Sequence, residues 1–77
     1  MALFTCEFGT PRRWLQFDTE HDSGLISALL LDEHGTLLAS RVLDLAESPL
    51  VAKVIAAHAG SGADERIARL LPALFPE

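Results

Sequence analysis

A single cysteine, Cys6, in 77 residues leaves no partner for an internal disulfide and none of the paired cysteines of a structural zinc site. That usage suits a reducing compartment. Cations are also scarce, with 6 Lys and Arg against 11 Asp and Glu and a net charge of -5. A nucleic-acid binder should present a basic face, whereas Arg41, Lys53, Arg66 and Arg69 are scattered and only Arg12 and Arg13 adjoin. Direct contact with nucleic acid is therefore not expected. No apolar run approaches the ~20 residues of a bilayer crossing. The start lacks the basic, apolar and cleavage segments of a secretory signal. The expected setting is soluble and cytoplasmic, with no membrane contact.

Catalytic signatures are missing as well. Glu20, His21, Asp22 and Ser23 are consecutive, so His21, Asp22 and Ser23 cannot converge as a hydrolytic triad must. There is no G-x-S-x-G elbow, and no H-E-x-x-H or EF-hand pattern. The second acidic cluster, Asp32, Glu33 and His34, is followed by Gly35. Asp, Ser and Gly are turn formers, through local backbone hydrogen bonds and positive φ. Successive turns of a meander lie at opposite ends, so the two clusters should sit a strand length apart, roughly 20 Å. Both read as turns, with metal binding the rival. His58 falls on a helical apolar stripe and Cys6 inside a strand, where packed side chains are the simpler reading. Gly60-Ser61-Gly62 lacks the lysine and preceding strand of a phosphate loop. The chain reads as a non-enzyme with no cofactor and no metal.

What remains is apolar: 49% of residues are hydrophobic and 22% charged. A chain this small buries a lower share of its surface than a large one. An exposed apolar patch, and with it a protein partner or a second copy, is expected. The acidic balance suits either a solvated surface or a basic partner.

The pattern changes once, near Glu47. Before it lie strand-like segments separated by turns; after it, Ala-rich stretches with helical spacing. Four strands are expected at "ALFTCEF", "RRWLQFDT", "LISALLL" and "TLLASRVLDL". Alternation puts Phe4, Cys6 and Phe8 on one face of the first, and Leu15 and Phe17 opposite Trp14, Gln16 and Asp18 on the second. The third is apolar on both faces. Ser48 and Pro49 open a first helix, with Leu50, Val51, Val54, Ile55 and His58 as its stripe, and Gly60 closes it with positive φ. Ser61 and Asp64 suggest a capping box on a second helix, buried through Ile67, Leu70, Leu71 and Leu74. Pro72 should bend or end that helix.

The expected fold is α+β: one domain over residues 1–77, a four-stranded antiparallel sheet (about 2–45) followed by two helices (about 49–75) on one face. The other face would hold Trp14, Gln16, Asp18, one set from the third strand, and Leu37, Ala39, Arg41 and Leu43. Either it is an interface, which its mixture of Trp, Leu and Arg suits, or the sheet coils around one core and buries both sets. Trp14 beside Arg12 and Arg13 is the sharpest binding candidate; its alternative is a place at the core edge with its N–H satisfied. Strand alternation selects Arg13, Trp14, Gln16, Asp18, Glu20 and Arg41 as partner-binding positions.

"GTLLASRVLD", with Gly35, Arg41, Leu43 and Asp44 in step, and "GSG" at Gly60–Gly62 followed by Ile67 resemble the phage anti-CRISPR proteins that act on type I Cascade surveillance complexes. The similarity is to the type I-F inhibitors with four strands and two helices, and the element order matches along the whole chain. The resemblance implies binding to the Cascade backbone subunits, so that target DNA cannot pair with the guide RNA, in the cytoplasm of a bacterial host. Those inhibitors bind mainly through tyrosines and a glutamate on the sheet. This chain has no tyrosine, so those contacts do not carry over, and another subtype such as type I-C becomes an alternative target. The alternative function is a homodimeric accessory module of a bacterial or phage complex.

Overall fold

The computed structural model describes residues 2–19 and 24–76. Four strands, β1 (Ala2–Phe8), β2 (Arg13–Thr19), β3 (Ile26–Leu31) and β4 (Leu37–Leu43), are followed by a 3-10 turn at Leu45–Glu47 and two helices, α1 (Pro49–His58) and α2 (Ala63–Leu74). The strands pair antiparallel in sequence order, as short connections favour. Both helices pack on one face, giving the expected α+β architecture.

The buried face follows the period-2 pattern. Cys6 and Phe8 of β1, Leu15 and Phe17 of β2, Ala28 and Leu30 of β3, and Leu43 of β4 meet Val51, Val54 and Ala57 of α1 and Ile67 and Leu74 of α2. Phe8, Leu15, Phe17, Val54, Ile67 and Leu74 retain no accessible surface. Burying a side chain of that size contributes about 1.5–3 kcal/mol, so this one layer carries most of the apolar stabilisation.

The register departs from simple alternation at two places. Ala2 faces Asp18 while Phe4 faces Phe17, which leaves Leu3 extra in β1. Leu30 faces Ala39 while Leu31 faces Leu37, which leaves Leu38 extra in β4. Each irregularity lies on an edge strand, where an extra residue bends the strand and disrupts an otherwise regular edge.

The helices differ from the sequence reading in detail. Ser48 does precede Pro49 at the start of α1, but its hydroxyl donates backward to the Leu45 carbonyl at 2.9 Å instead of capping the helix. The capping box lies one turn earlier. Asp44 accepts from the Glu47 N–H at 3.0 Å, and Glu47 accepts from the Asp44 N–H at 3.3 Å. In α1 the buried stripe includes Ala57, whereas Ile55 is 44% exposed. His58 is exposed, and its ring meets Phe4 edge-on at 5.7 Å. Gly60 follows the C-cap with φ of 80°, as expected.

The expected Ser61–Asp64 box does not form. Gly62 is the N-cap of α2 at φ 76°, with no side-chain cap. The Arg66 guanidinium instead gathers the carbonyls of Ala57, Ala59 and Ser61, with Nε to Ala57 at 3.2 Å. A Cβ on Gly62 would approach Arg66 Nη1 to 3.1 Å, so the left-handed turn and the arginine clamp require the same glycine. Pro72 neither ends α2 nor stops its last turn; the helix continues to Leu74 and the Phe75 N–H reaches the Leu71 carbonyl at 2.8 Å. Among the described residues no helix is long and apolar enough to cross a membrane.

A candidate protein-binding face on the open sheet

Among the described residues, nothing covers the face of the sheet away from the helices. Antiparallel pairing sets residues opposite one another at Cβ separations of about 4.5–5.5 Å, so the register can be read as rows across the sheet. One end row runs Glu7, Trp14, Leu31, Leu37. The next runs Thr5, Gln16, Leu29, Ser40, and the third includes Asp18, Ser27 and Val42. The first row is apolar from β2 to β4, and Leu38 adds to it as the extra residue of the irregularity.

Exposure follows the same layout. Leu37, Leu38 and Val42 are 52%, 53% and 51% exposed, and Leu3 is 50% exposed. Trp14, Leu29 and Leu31 are half-buried by their neighbours within the face. An ordinary solvated sheet face alternates to polar residues; this one has an apolar corner and a polar centre. The sequence alternative in which the sheet coils and buries both sets is overturned.

The residues selected from the sequence separate into three groups. Trp14, Gln16 and Asp18 lie together on the open face. The Trp14 indole makes no hydrogen bond among the described residues, which leaves its N–H available on a half-wet surface. Gln16 Nε2 donates to Asp18 at 2.9 and 3.1 Å, holding that carboxylate in place. Beside Trp14, Glu7 is paired with Arg12 at 3.6 Å, both substantially exposed. The fixed charges on the face are thus acidic, with Arg12 at its margin.

Arg13 and Arg41 point the other way. Arg13 pairs with Phe8 and shares the side of Leu15 and Phe17; its guanidinium lies 4.7 Å from the Phe8 ring centroid, a cation–π contact at the rim of the core. Arg41 pairs with the buried Ala28, so it lies on the helix side. Its Nη1 donates to the carbonyls of Leu74 at 2.9 Å and Ala73 at 3.1 Å, and its Nη2 pairs with Glu47. The grouping of Ala39, Arg41 and Leu43 with the open face is therefore corrected. Leu38, Ser40 and Val42 take their place, while Leu37 stays, because the irregularity at Leu38 resets the alternation. Glu20, and with it His21, Asp22 and Ser23, lies outside the described residues.

Sequence reasoning missed Leu38 and Val42 and left the two β3 sets undecided. The consecutive "LLL" and "LL" runs carry no period to choose between faces. No local signal separates them, because Leu43 is buried, and Val42 thereby turned outward, through packing with the core.

The turn at Asp32–Thr36 resolves the second acidic cluster. One Asp32 carboxylate oxygen accepts the His34 and Thr36 N–H groups, each at 2.8 Å. The Asp32 N–H meets the Thr36 carbonyl at 2.9 Å, and Gly35, at φ 82°, donates to the Asp32 carbonyl at 3.0 Å. Those hydrogen bonds, the one from Thr36 foremost, hold the Asp32 carboxyl below its usual range, with desolvation opposing them. The His34 N–H and nearby imidazole act in the same direction as Thr36. Such an aspartate is a turn acceptor with its oxygen already engaged. Burial pushes the Cys6 thiol upward, opposed by a backbone hydrogen bond from Leu15, which disfavours the thiolate a nucleophile needs.

The arrangement offers an apolar anchor with an indole and an adjacent acidic margin on a rigid sheet. Comparison with known protein families, curated proteins and solved structures finds no match to this chain.

Proposed function

We propose that this chain is a protein-binding inhibitor that uses the open sheet face to engage a type I Cascade surveillance complex and so blocks target DNA binding. The observation that carries the protein-binding part is the uncovered row of Trp14, Leu31 and Leu37 with Leu38 beside it. A half-exposed aromatic continued by aliphatic neighbours matches the composition of interface hot spots. A rigid sheet also loses little conformational entropy when a partner docks, which favours tight binding by a small protein.

The Cascade assignment rests on the resemblance in "GTLLASRVLD" and "GSG" and on the shared order of four strands and two helices. The acidic margin of Glu7 and Asp18 suits a basic partner surface, such as one that otherwise holds nucleic acid. No turnover and no cofactor enter this reading.

The test is a gel shift of target duplex DNA by purified type I-F and type I-C Cascade, with and without the protein. Loss of the shifted band, with no binding of the protein to DNA alone, is the expected result and identifies the subtype. An unchanged band with both complexes overturns the Cascade assignment. The exposed apolar row also favours a second reading, a homodimeric accessory module joined through the open face. Sedimentation that shows a dimer converted to monomer by Trp14→Ala would select it.

A further inference from the structure

The helical layer has a groove of its own, separate from the open sheet face. Lys53, Ala56 and Ala57 of α1 form one wall, and Arg66, Arg69 and Leu70 of α2 form the other, around about 390 Å³. On each helix the three residues follow helical spacing, so each wall is one continuous ridge. The floor is apolar and the rim is cationic.

That rim contrasts with the rest of the molecule. Three of the chain's six cations, Lys53, Arg66 and Arg69, line this groove, in a chain of net charge -5. Of the other three, Arg12 pairs with Glu7 and Arg41 with Glu47. At the rim itself Glu65 lies 4.0 Å from Arg69, in a pair more than three-quarters exposed on both sides, where such contacts hold little energy. Arg66 is anchored by the carbonyls of Ala57, Ala59 and Ser61; carbonyls orient a guanidinium without neutralising it. Lys53 has no ion pair or hydrogen bond among the described residues.

We propose that this groove docks an acidic amphipathic helix of a partner protein, independently of the sheet face. The charge is complementary, because carboxylates flanking an apolar ridge would meet Lys53 on one wall and Arg69 on the other. The shape is complementary too. Helices pack at 8–10 Å depending on the side chains between them, and Ala56 and Ala57 leave room for a third helix to approach closely. Its leucine-sized ridge would fill the floor beside Leu70, the helix-in-groove mode of recognition. A nucleic acid is the wrong occupant, since the apolar floor of Ala56, Ala57 and Leu70 takes apolar side chains and offers a phosphate backbone nothing.

The probe is a fluorescein-labelled peptide of about five helical turns, with leucines at every third and fourth position and glutamates on both flanks. Its control carries lysines in place of the glutamates. Anisotropy should show binding of the glutamate peptide alone, weakened by added salt. Amide ¹H–¹⁵N shifts should concentrate at residues 53–57 and 66–70. Lys53→Glu combined with Arg69→Glu, both on exposed side chains, should weaken binding at least tenfold while the amide spectrum stays dispersed. Trp14→Ala should leave this binding unchanged, which separates the groove from the sheet-face reading. Equal binding of the two peptides, absence of binding, or an unaffected double variant would overturn the proposal. So would self-association of the parent chain that the double variant abolishes, because the groove would then belong to a second copy.

Discussion

Arg41 Nη1 lies 2.9 Å from the carbonyl oxygen of Leu74, joining the last strand to the end of the last helix across 33 positions of sequence. The same guanidinium takes the Ala73 carbonyl and pairs with Glu47 in the capped 3-10 turn. One cation thus satisfies carbonyls that a helix C-terminus leaves without partners, at the negative end of its dipole. The carboxylate of Glu47 balances that charge.

Arg41→Ala should lower stability by about 2 kcal/mol, the scale of hydrogen bonds to a charged group. For a domain of this size that is a fall in Tm of roughly 8–16 °C, readable by circular dichroism. Affinity for the partner, measured well below the transition, should not change. A stable variant that no longer binds would return Arg41 to the binding face.

Trp14→Ala should act in the opposite sense. The side chain is half-exposed on the uncovered face, so the loss in stability should stay below about 1 kcal/mol. Inhibition of Cascade in the gel-shift titration should weaken by at least ~2 kcal/mol, a factor of about thirty in protein concentration. Parental potency in this variant removes Trp14 as the anchor.

Leu38→Asp and Val42→Lys place charges on side chains that the structure shows about half exposed. Both variants should fold with little change in urea midpoint, within about 1 kcal/mol. Had the two residues been in the core, an unpaired buried charge would cost several kcal/mol. Phe17→Ala is the contrasting case. It removes a ring with no exposed surface and should cost about 3–5 kcal/mol, a large share of the total stability of a small domain.

Asp32 makes part of the acid sensitivity of the fold local to one turn. Its carboxyl is held below the ordinary carboxylate range by the Thr36 N–H above all, assisted by His34. A depressed folded value contributes stability above the unfolded carboxylate pKa, and that contribution is lost as pH falls through the folded value. Asp32→Ala should therefore lower the urea midpoint near neutrality and narrow the difference from the parent as the solution is acidified. A constant gap across that range would remove the carboxylate from the account.

Cys6 is 3% exposed, and burial raises its thiol pKa. Maleimide should label the native protein slowly at neutral pH and the urea-unfolded chain fast. Because the raised folded value keeps the proton on while the unfolded thiol releases it, stability should fall as pH rises through the thiol range. Rapid labelling of folded protein would contradict the buried position.

Much of this molecule follows from local sequence. The spacing of Phe4, Cys6 and Phe8, and of Leu15 and Phe17, determined which face of β1 and β2 is buried, because side chains alternate along a strand. Pro49 and Gly60 bracketed α1, since one tolerates a missing N–H and the other a positive φ. "DEHG" was legible as a turn because Asp can accept backbone N–H groups and Gly can adopt the left-handed conformation. Tertiary structure alone decided the orientation of β4. The extra residue at Leu38 reset its alternation, and no period in "TLLASRVLDL" marks such a shift. It also decided the roles of Arg41 and Arg66, because a long cationic side chain goes to whichever carbonyls the fold leaves unpaired, and those lie at helix ends that local sequence does not place near it. The open face belongs to both levels. Local sequence supplied more apolar surface than a chain of 77 residues readily hides, and packing both helices on one side of the sheet chose which part of it stays exposed.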